Sequence, residues 1–312
     1  MDVILHIGAH LCATTSFQDY LWCNAERLQR QGTEVWGPRR TRHALFFGLL
    51  PGAGAPPNAA AVRRAVGRIR MNLTHCAEAG GTRLIVSDPA MMGSVRANLR
   101  MADLYCGLGE RLSRLAQAFE GYHVTLALNI RALDAYWAAA LAQSITRGAA
   151  LPAPTALKRL AANPRGWRDV IEEVACAMPE AELLILPFET FGGRPEAQLQ
   201  ALTELEPPRT HARGWLNATP RLAELRAWLP PEQAAELPGG NDRWRPFAEA
   251  EAAQLREIYA DDLMWIHGGA GGLARLADDP DKKRAVGLTP SSLVATRGRR
   301  DDEEDRRLAG AG

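Results

Sequence analysis

The sequence predicts an α/β protein in three layers, with a mainly parallel sheet covered by helices on both faces and a helical C-terminal part. Three observations carry this. Short uninterrupted apolar runs recur along the chain. They alternate with segments of helical period. The first run ends in a glycine directly before a helix start. Strands buried on both faces read as continuous apolar runs, and helices between them imply parallel crossovers.

The first run is Val3-Ile4-Leu5-His6-Ile7, closed by Gly8. Thr14-Thr15-Ser16 then opens a helix whose Phe17, Leu21 and Leu28 recur at helical spacing, with a hydroxyl ready to cap its first turn. A Pro/Gly/Ala loop, Pro51 to Ala60, precedes a helix over Val62 to Ala79. Leu84-Ile85-Val86 is the second strand and stops at Ser87-Asp88-Pro89. Helix Leu104 to Phe119 leads to the third strand, His123 to Ile130. Helices over Ala132 to Arg147 and Trp167 to Met178 precede the fourth strand, Glu182 to Pro187. From about Pro207 only helix and loop are expected, with Ala248 to Trp265 the clearest helix. Trp22, Trp137, Trp167, Trp215, Trp228 and Trp265 fall at helix-like positions and read as core. Residues 1–277 read as one domain and 278–312 as a charged, flexible tail, nearly all charge over Arg299 to Arg307.

Composition excludes several classes. The 312 residues carry a net charge of +1, so a general nucleic-acid coat is not expected. No apolar run is long enough for a membrane span, and the N-terminus lacks the basic and apolar regions of a signal peptide. The five cysteines form no CxxC pair, so neither a zinc site nor a disulfide framework is suggested, and a reduced cytoplasmic setting is expected. No metal is expected: His6 and His10 are spaced by four but sit in a strand and a loop. A P-loop NTPase needs a Gly-Lys pair, and the chain has none; a serine hydrolase needs G-x-S-x-G, also missing. One skew stands out. Of 37 basic residues only Lys158, Lys282 and Lys283 are lysines.

The segment Gly8-Ala9-His10-Leu11-Cys12-Ala13-Thr14-Thr15-Ser16 joins a strand to a helix N-terminus. Free backbone amides, the helix dipole and hydroxyls make such a loop an anion site. In parallel sheets ligands sit beyond the carboxyl ends of the strands, after Ile7, Val86, Ile130 and Leu186 here.

The stretch Ile4 to Gln18 resembles the N-terminus of bacterial sulfotransferases, which use 3′-phosphoadenosine-5′-phosphosulfate (PAPS). Their loop reads H-I-G-x-x-K/R-T-G/A-T-T-S-x-Q. His6-Ile7-Gly8, Ala13-Thr14-Thr15-Ser16 and Gln18 stand in the matching places. Asn129-Ile130-Arg131 matches the strand end where the family binds the donor's 3′-phosphate, and Leu186 to Phe191 resembles its later strand and acidic turn. The resemblance covers roughly residues 1 to 205. It implies a P-loop-like fold, PAPS as co-substrate with adenosine 3′,5′-bisphosphate as product, and transfer of a sulfuryl group to a hydroxyl or amine of a small-molecule or saccharide acceptor. Gly8, Ala9, Ala13, Thr14, Thr15 and Ser16 would hold the phosphosulfate; Arg131, with Ser144, the 3′-phosphate. Asp88 or His10 would take the acceptor proton, and His10 could add positive charge beside a bound anion.

The departures are equally specific. The family's loop cation falls at Leu11. Electrostatic stabilisation of that kind carries about 3–4 kcal/mol, and leucine cannot supply it. The position eight residues after Arg131, usually serine, is Ala139, and the run after the second strand offers only Asp88 before Pro89-Ala90. Arg39, Arg40 and Arg42 form a basic cluster that reads as a solvated loop, an anionic acceptor site, or a substitute for the missing cation. Trp244, in Asn241 to Arg245, can stack on a base or sugar. The alternative is a non-catalytic protein of this fold that binds an adenosine bisphosphate or a protein partner. Acceptor specificity would lie in Leu49 to Ala60 and Gly148 to Gly166.

Overall fold

The computed structural model describes residues 1–50 and 58–281. The expected loop at Pro51 to Ala60 therefore falls largely outside the described residues, as does the charged run Arg299 to Arg307. The chain divides into Met1–Ala277 and Asp278–Gly312, and the first unit holds the fold described below.

Six strands form one sheet: β1 (Asp2–Gly8), β2 (Thr33–Trp36), β3 (Arg83–Ser87), β4 (Val124–Ile130), β5 (Glu182–Pro187) and β6 (Arg275–Leu276). Their order is β2-β3-β1-β4-β5-β6 and every pairing is parallel. Helices α1 (Thr14–Cys23) and α2 (Ala25–Arg30) follow β1; the short α3 (Pro38–Arg40) and a π-turn over Thr41–Leu45 follow β2. After α4 (Ala59–Glu78) and β3 come α5 (Val95–Met101) and α6 (Leu108–Phe119). Between β4 and β5 lie α7 (Leu133–Ile145), α8 (Pro154–Ala162) and α9 (Trp167–Ala177). The remainder carries α10 (Phe188–Phe191), α11 (Pro195–Thr203), α12 (Leu222–Trp228), α13 (Pro231–Glu236) and α14 (Glu249–His267).

Successive strand residues point to opposite faces, and both faces are buried. Val3, Leu5, Ile7, Leu126 and Leu128 pack with Ile69, Leu112, Tyr136, Trp167 and Leu255 from the helices on one side. Ile4, Ile85, Ala127, Leu184 and Leu186 pack with Phe17, Tyr20, Leu21 and Leu199 on the other. The result is a three-layer α/β/α fold. Each fully buried Leu, Ile or Phe contributes roughly 1.5–3 kcal/mol, so both layers hold the central strands. Helix starts follow side-chain chemistry: the Asn58 carboxamide oxygen accepts from the Ala60 amide at 2.8 Å and Ser94 Oγ from Ala97 at 3.2 Å.

The expected strands are all present, but two more exist. β2 is a four-residue edge strand and β6 has two residues after Pro207, where only helix and loop were expected. The helix expected over Leu104 to Phe119 begins at Leu108, with α5 separate before it. Trp137 and Trp167 are core, whereas Trp22 is 68% exposed, and Trp228 and Trp215 are also exposed. Among the described residues no helix is long and apolar enough to cross a membrane.

Candidate functional site

The chain leaves β1 toward β2 and β3, and leaves β4 toward β5 and β6. The adjacent carboxyl ends of β1 and β4 are thus the topological switch point, where open parallel sheets bind ligands. The loop after β1 and Arg131 after β4 meet there. A cleft of ≈ 1820 Å³ opens over them.

Two residues before α1 adopt left-handed backbone, Leu11 at φ 65° and Ala13 at φ 58°. Among the described residues the amides of Leu11, Cys12, Ala13 and the first-turn residues Thr14 to Ser16 donate to no protein group, and α1 has no side-chain cap. Consecutive unpaired amides at a helix N-terminus form a concave, partly positive nest. Thr14 lines the cleft with its hydroxyl unpartnered. Thr15 Oγ1 accepts from Asn217 Nδ2 at 3.1 Å.

The expected donor-binding set is narrower in the structure. Ser16 faces away from the cleft: its Oγ accepts from the Leu216 amide at 2.9 Å, which ties the 211–221 segment over α1. Ala9 is fully buried and its amide donates to the Asn129 carbonyl at 2.8 Å. Gly8 belongs to β1, with φ 103° and a position where a Cβ would stand 2.9 Å from Pro89 Cβ. Ser144 does not line the cleft; its Oγ donates to the Leu141 carbonyl at 2.7 Å. The period of α7 puts Ala135, Ala139 and Gln143 on the cleft face and turns position 144 about 100° away.

Arg131 is 7% exposed. Its Nη1 donates to the Leu11 carbonyl at 2.9 Å and its guanidinium lies 4.3 Å from the Phe188 ring centroid. Burial lowers its pKa. Among the described residues no carboxylate pairs with it, and none of its nitrogens is both buried and unbonded. Its remaining N–H groups thus face the cleft. A buried cation without a counter-ion is costly unless a ligand supplies one. Nearby, Glu189 accepts from the Ala132 amide at 3.0 Å and the Tyr259 hydroxyl at 2.7 Å.

His10 is fixed by Tyr105. The Tyr105 hydroxyl accepts from the His10 amide at 3.0 Å and lies within hydrogen-bond distance of His10 Nδ1 at 3.1 Å and of the Tyr136 hydroxyl at 3.3 Å. Burial, and then Arg42, push the His10 pKa down to about 4, so the free protein holds it neutral near pH 7. In the free protein it therefore brings no positive charge; the expected charge depends on a bound anion.

Asp88 is 1% exposed, and both of its oxygens are occupied. Arg42 reaches it at 2.7 and 3.1 Å, Thr41 Oγ1 donates at 2.6 Å, and the Ala90 amide at 3.0 Å. It shapes the turn and holds Arg42 rather than meeting the cleft. Arg39 and Arg40 also line the cleft. Arg39 lies 6.0 Å from the Trp22 ring, and Arg40 pairs with Glu34 at 3.4 Å and covers Trp36 at 4.6 Å. Trp244 is largely core, with only its rim at the cleft wall.

Beneath the loop runs a buried polar chain. His6 Nε2 donates to Asn129 Oδ1 at 2.6 Å, Ser87 Oγ donates to His6 Nδ1 at 2.7 Å, and Gln18 Nε2 donates to Ser87 Oγ at 3.2 Å. Burial lowers the His6 pKa to about 4. This neutral network pins α1 to β1, β3 and β4.

Ten arginines and five carboxylates line the cleft, an excess of five positive charges. Sequence reasoning missed Phe188, Tyr105, Arg147 and the Leu216–Asn217 segment; only Arg147 had a readable signal, lying on the i, i+4 row through 135, 139 and 143. Among the described residues no group of three His, Cys, Asp or Glu could hold a metal. Comparisons with protein-family models, curated proteins and solved structures find no match.

Proposed function

We propose that the cleft binds PAPS, and that the chain is a sulfotransferase-like protein moving the sulfuryl group to a hydroxyl or amine acceptor, slowed by Leu11. One observation carries this reading: the nest of unpaired amides stands beside the Arg131 guanidinium, which has no ion-pair partner among the described residues, at the switch point. The nest fits the phosphosulfate and Arg131 the 3′-phosphate, with P-loop-like geometry. In the in-line step the acceptor oxygen or nitrogen forms a bond to sulfur while the sulfur–oxygen bond to the 5′-phosphate breaks. The acceptor proton must leave. Asp88 is fully occupied by Arg42, Thr41 and Ala90, so the proton passes to His10 or to solvent. The free thiols fit a reduced cytoplasmic setting.

The state of Asp88 also favours a second reading, a non-catalytic protein that binds adenosine 3′,5′-bisphosphate. A single-turnover assay with labelled PAPS and a panel of hydroxyl and amine acceptors separates the two. Slow labelled product supports transfer. PAPS binding with no product for any acceptor supports the second reading.

A further inference from the structure

We propose that α14 aims Arg131: Tyr259 and Asp262, on its buried face, are positioning residues that act through Glu189 and Trp167 to clamp the Arg131–Ala132 peptide. The inference deepens the reading above, since it rests on Arg131 as the ligand of the 3′-phosphate.

Arg131 and Ala132 lie between β4, which ends at Ile130, and α7, which begins at Leu133. The peptide that joins them is held by side chains. The Trp167 indole Nε1 donates to the Arg131 carbonyl at 2.7 Å, and the Ala132 amide donates to Glu189 Oε1 at 3.0 Å. That carbonyl and that amide belong to one planar unit, so the two bonds together fix its orientation. The unit carries the Arg131 Cα, the base from which the guanidinium reaches the Leu11 carbonyl at 2.9 Å and the Phe188 ring at 4.3 Å. Phe188 and Glu189 are neighbours in the one-turn α10, which therefore holds both the guanidinium and the amide that follows it.

Each clamp is anchored in α14. The Tyr259 hydroxyl donates to Glu189 Oε2 at 2.7 Å, and Asp262 Oδ2 accepts from the Trp167 amide at 2.6 Å. Trp167 is fully buried against the Tyr105 and Tyr136 rings, so its backbone and its indole are placed together. Gly166 admits the carboxylate, since a Cβ there would collide with Asp262 Oδ2. The buried residues of α14 are Leu255, Tyr259, Asp262 and Ile266, one stripe at helical spacing. Apolar side chains alone would pack such a stripe. A buried hydroxyl and a buried carboxylate need partners, and these two meet the two residues that hold Arg131.

The test uses the full chain. Tyr259→Phe keeps the ring in the core and removes the hydroxyl. Glu189→Ala removes the carboxylate, and Glu189→Gln puts an uncharged acceptor of the same reach in its place. Each is titrated calorimetrically with adenosine 3′,5′-bisphosphate and with adenosine 5′-monophosphate. In Tyr259→Phe and Glu189→Ala the preference for the bisphosphate should fall by about threefold to tenfold with the monophosphate unchanged, and Glu189→Gln should restore most of it. Charge alone predicts the opposite sign, because loss of a carboxylate beside an anion site tightens the bisphosphate. An unchanged or raised preference in Glu189→Ala, parent-like behaviour of Tyr259→Phe, or equal weakening of both nucleotides would overturn the clamp. Hydrogen exchange of the Ala132 amide in the free protein is a second readout and should quicken by about tenfold in Tyr259→Phe; an unchanged rate would also overturn it. Failure of the parent to prefer the bisphosphate overturns the assignment of Arg131 instead, and the exchange rate still decides the clamp.

Discussion

Replacing Arg131 with glutamine removes the buried guanidinium while keeping a shorter, uncharged hydrogen-bonding side chain. In the free protein that guanidinium makes one hydrogen bond, to Leu11, and stacks on Phe188. No carboxylate in the described structure is stranded by its loss. Stability should therefore change little. Binding should change much more. A guanidinium held on a ring can meet a phosphate through two charge-assisted hydrogen bonds, each worth about 1.5–3 kcal/mol. Taking the lower figure twice gives about 3 kcal/mol, a roughly 100-fold rise in dissociation constant. Titrating both proteins with adenosine 3′,5′-bisphosphate and with adenosine 5′-monophosphate isolates the effect. The bisphosphate should weaken by roughly two decades and the monophosphate far less. Equal affinity of Arg131→Gln and the parent for the bisphosphate would refute the assignment of the 3′-phosphate to this residue.

Other perturbations follow from the same geometry. Leu11→Lys puts a cation beside the nest and should raise single-turnover transfer by about 10²- to 10³-fold; nucleotide binding without any gain would mean that more than the cation is missing. Gly8→Ala forces a side chain onto backbone at φ 103° and against Pro89, and should cost about 1–3 kcal/mol in urea unfolding, while an unchanged midpoint would contradict the close approach. His6 is held at about 4 against an ordinary 6.5, so the unfolded chain takes the proton first. Stability is complete above pH 6.5 and falls as the pH drops toward 4, by about 3 kcal/mol. In His6→Gln that part of the pH dependence should vanish; an identical slope would show that the network is not the source.

The strands that could be read were those buried on both faces, because a short continuous apolar run bounded by turn residues fits little else. β2 escaped because an edge strand of four residues carries Thr33 and Glu34, and β6 because two residues hold no pattern. Helical spacing marks a residue as helical but not which way it faces: Trp22 sits beside buried Leu21, yet the turn of α1 puts it in solvent. At the site, the loop and Arg131 were visible because strand, glycine and helix start are local signals. The state of Asp88 was not, since its partners Thr41 and Arg42 lie more than 40 residues away and meet it only through the β2–β3 pairing. That His10 is neutral in the free protein was hidden for the same reason, as the burial that lowers its pKa comes from the fold. Ser144 was one residue off the face that α7 turns to the cleft.

The most direct measurement is a calorimetric titration of the full chain with adenosine 3′,5′-bisphosphate, set against adenosine 5′-monophosphate under the same conditions. A nest for one phosphate and Arg131 for the other predict saturable one-to-one binding of the bisphosphate, tighter than the monophosphate by about tenfold or more. No heat of binding up to millimolar bisphosphate, or equal affinity for the two nucleotides, would contradict the account.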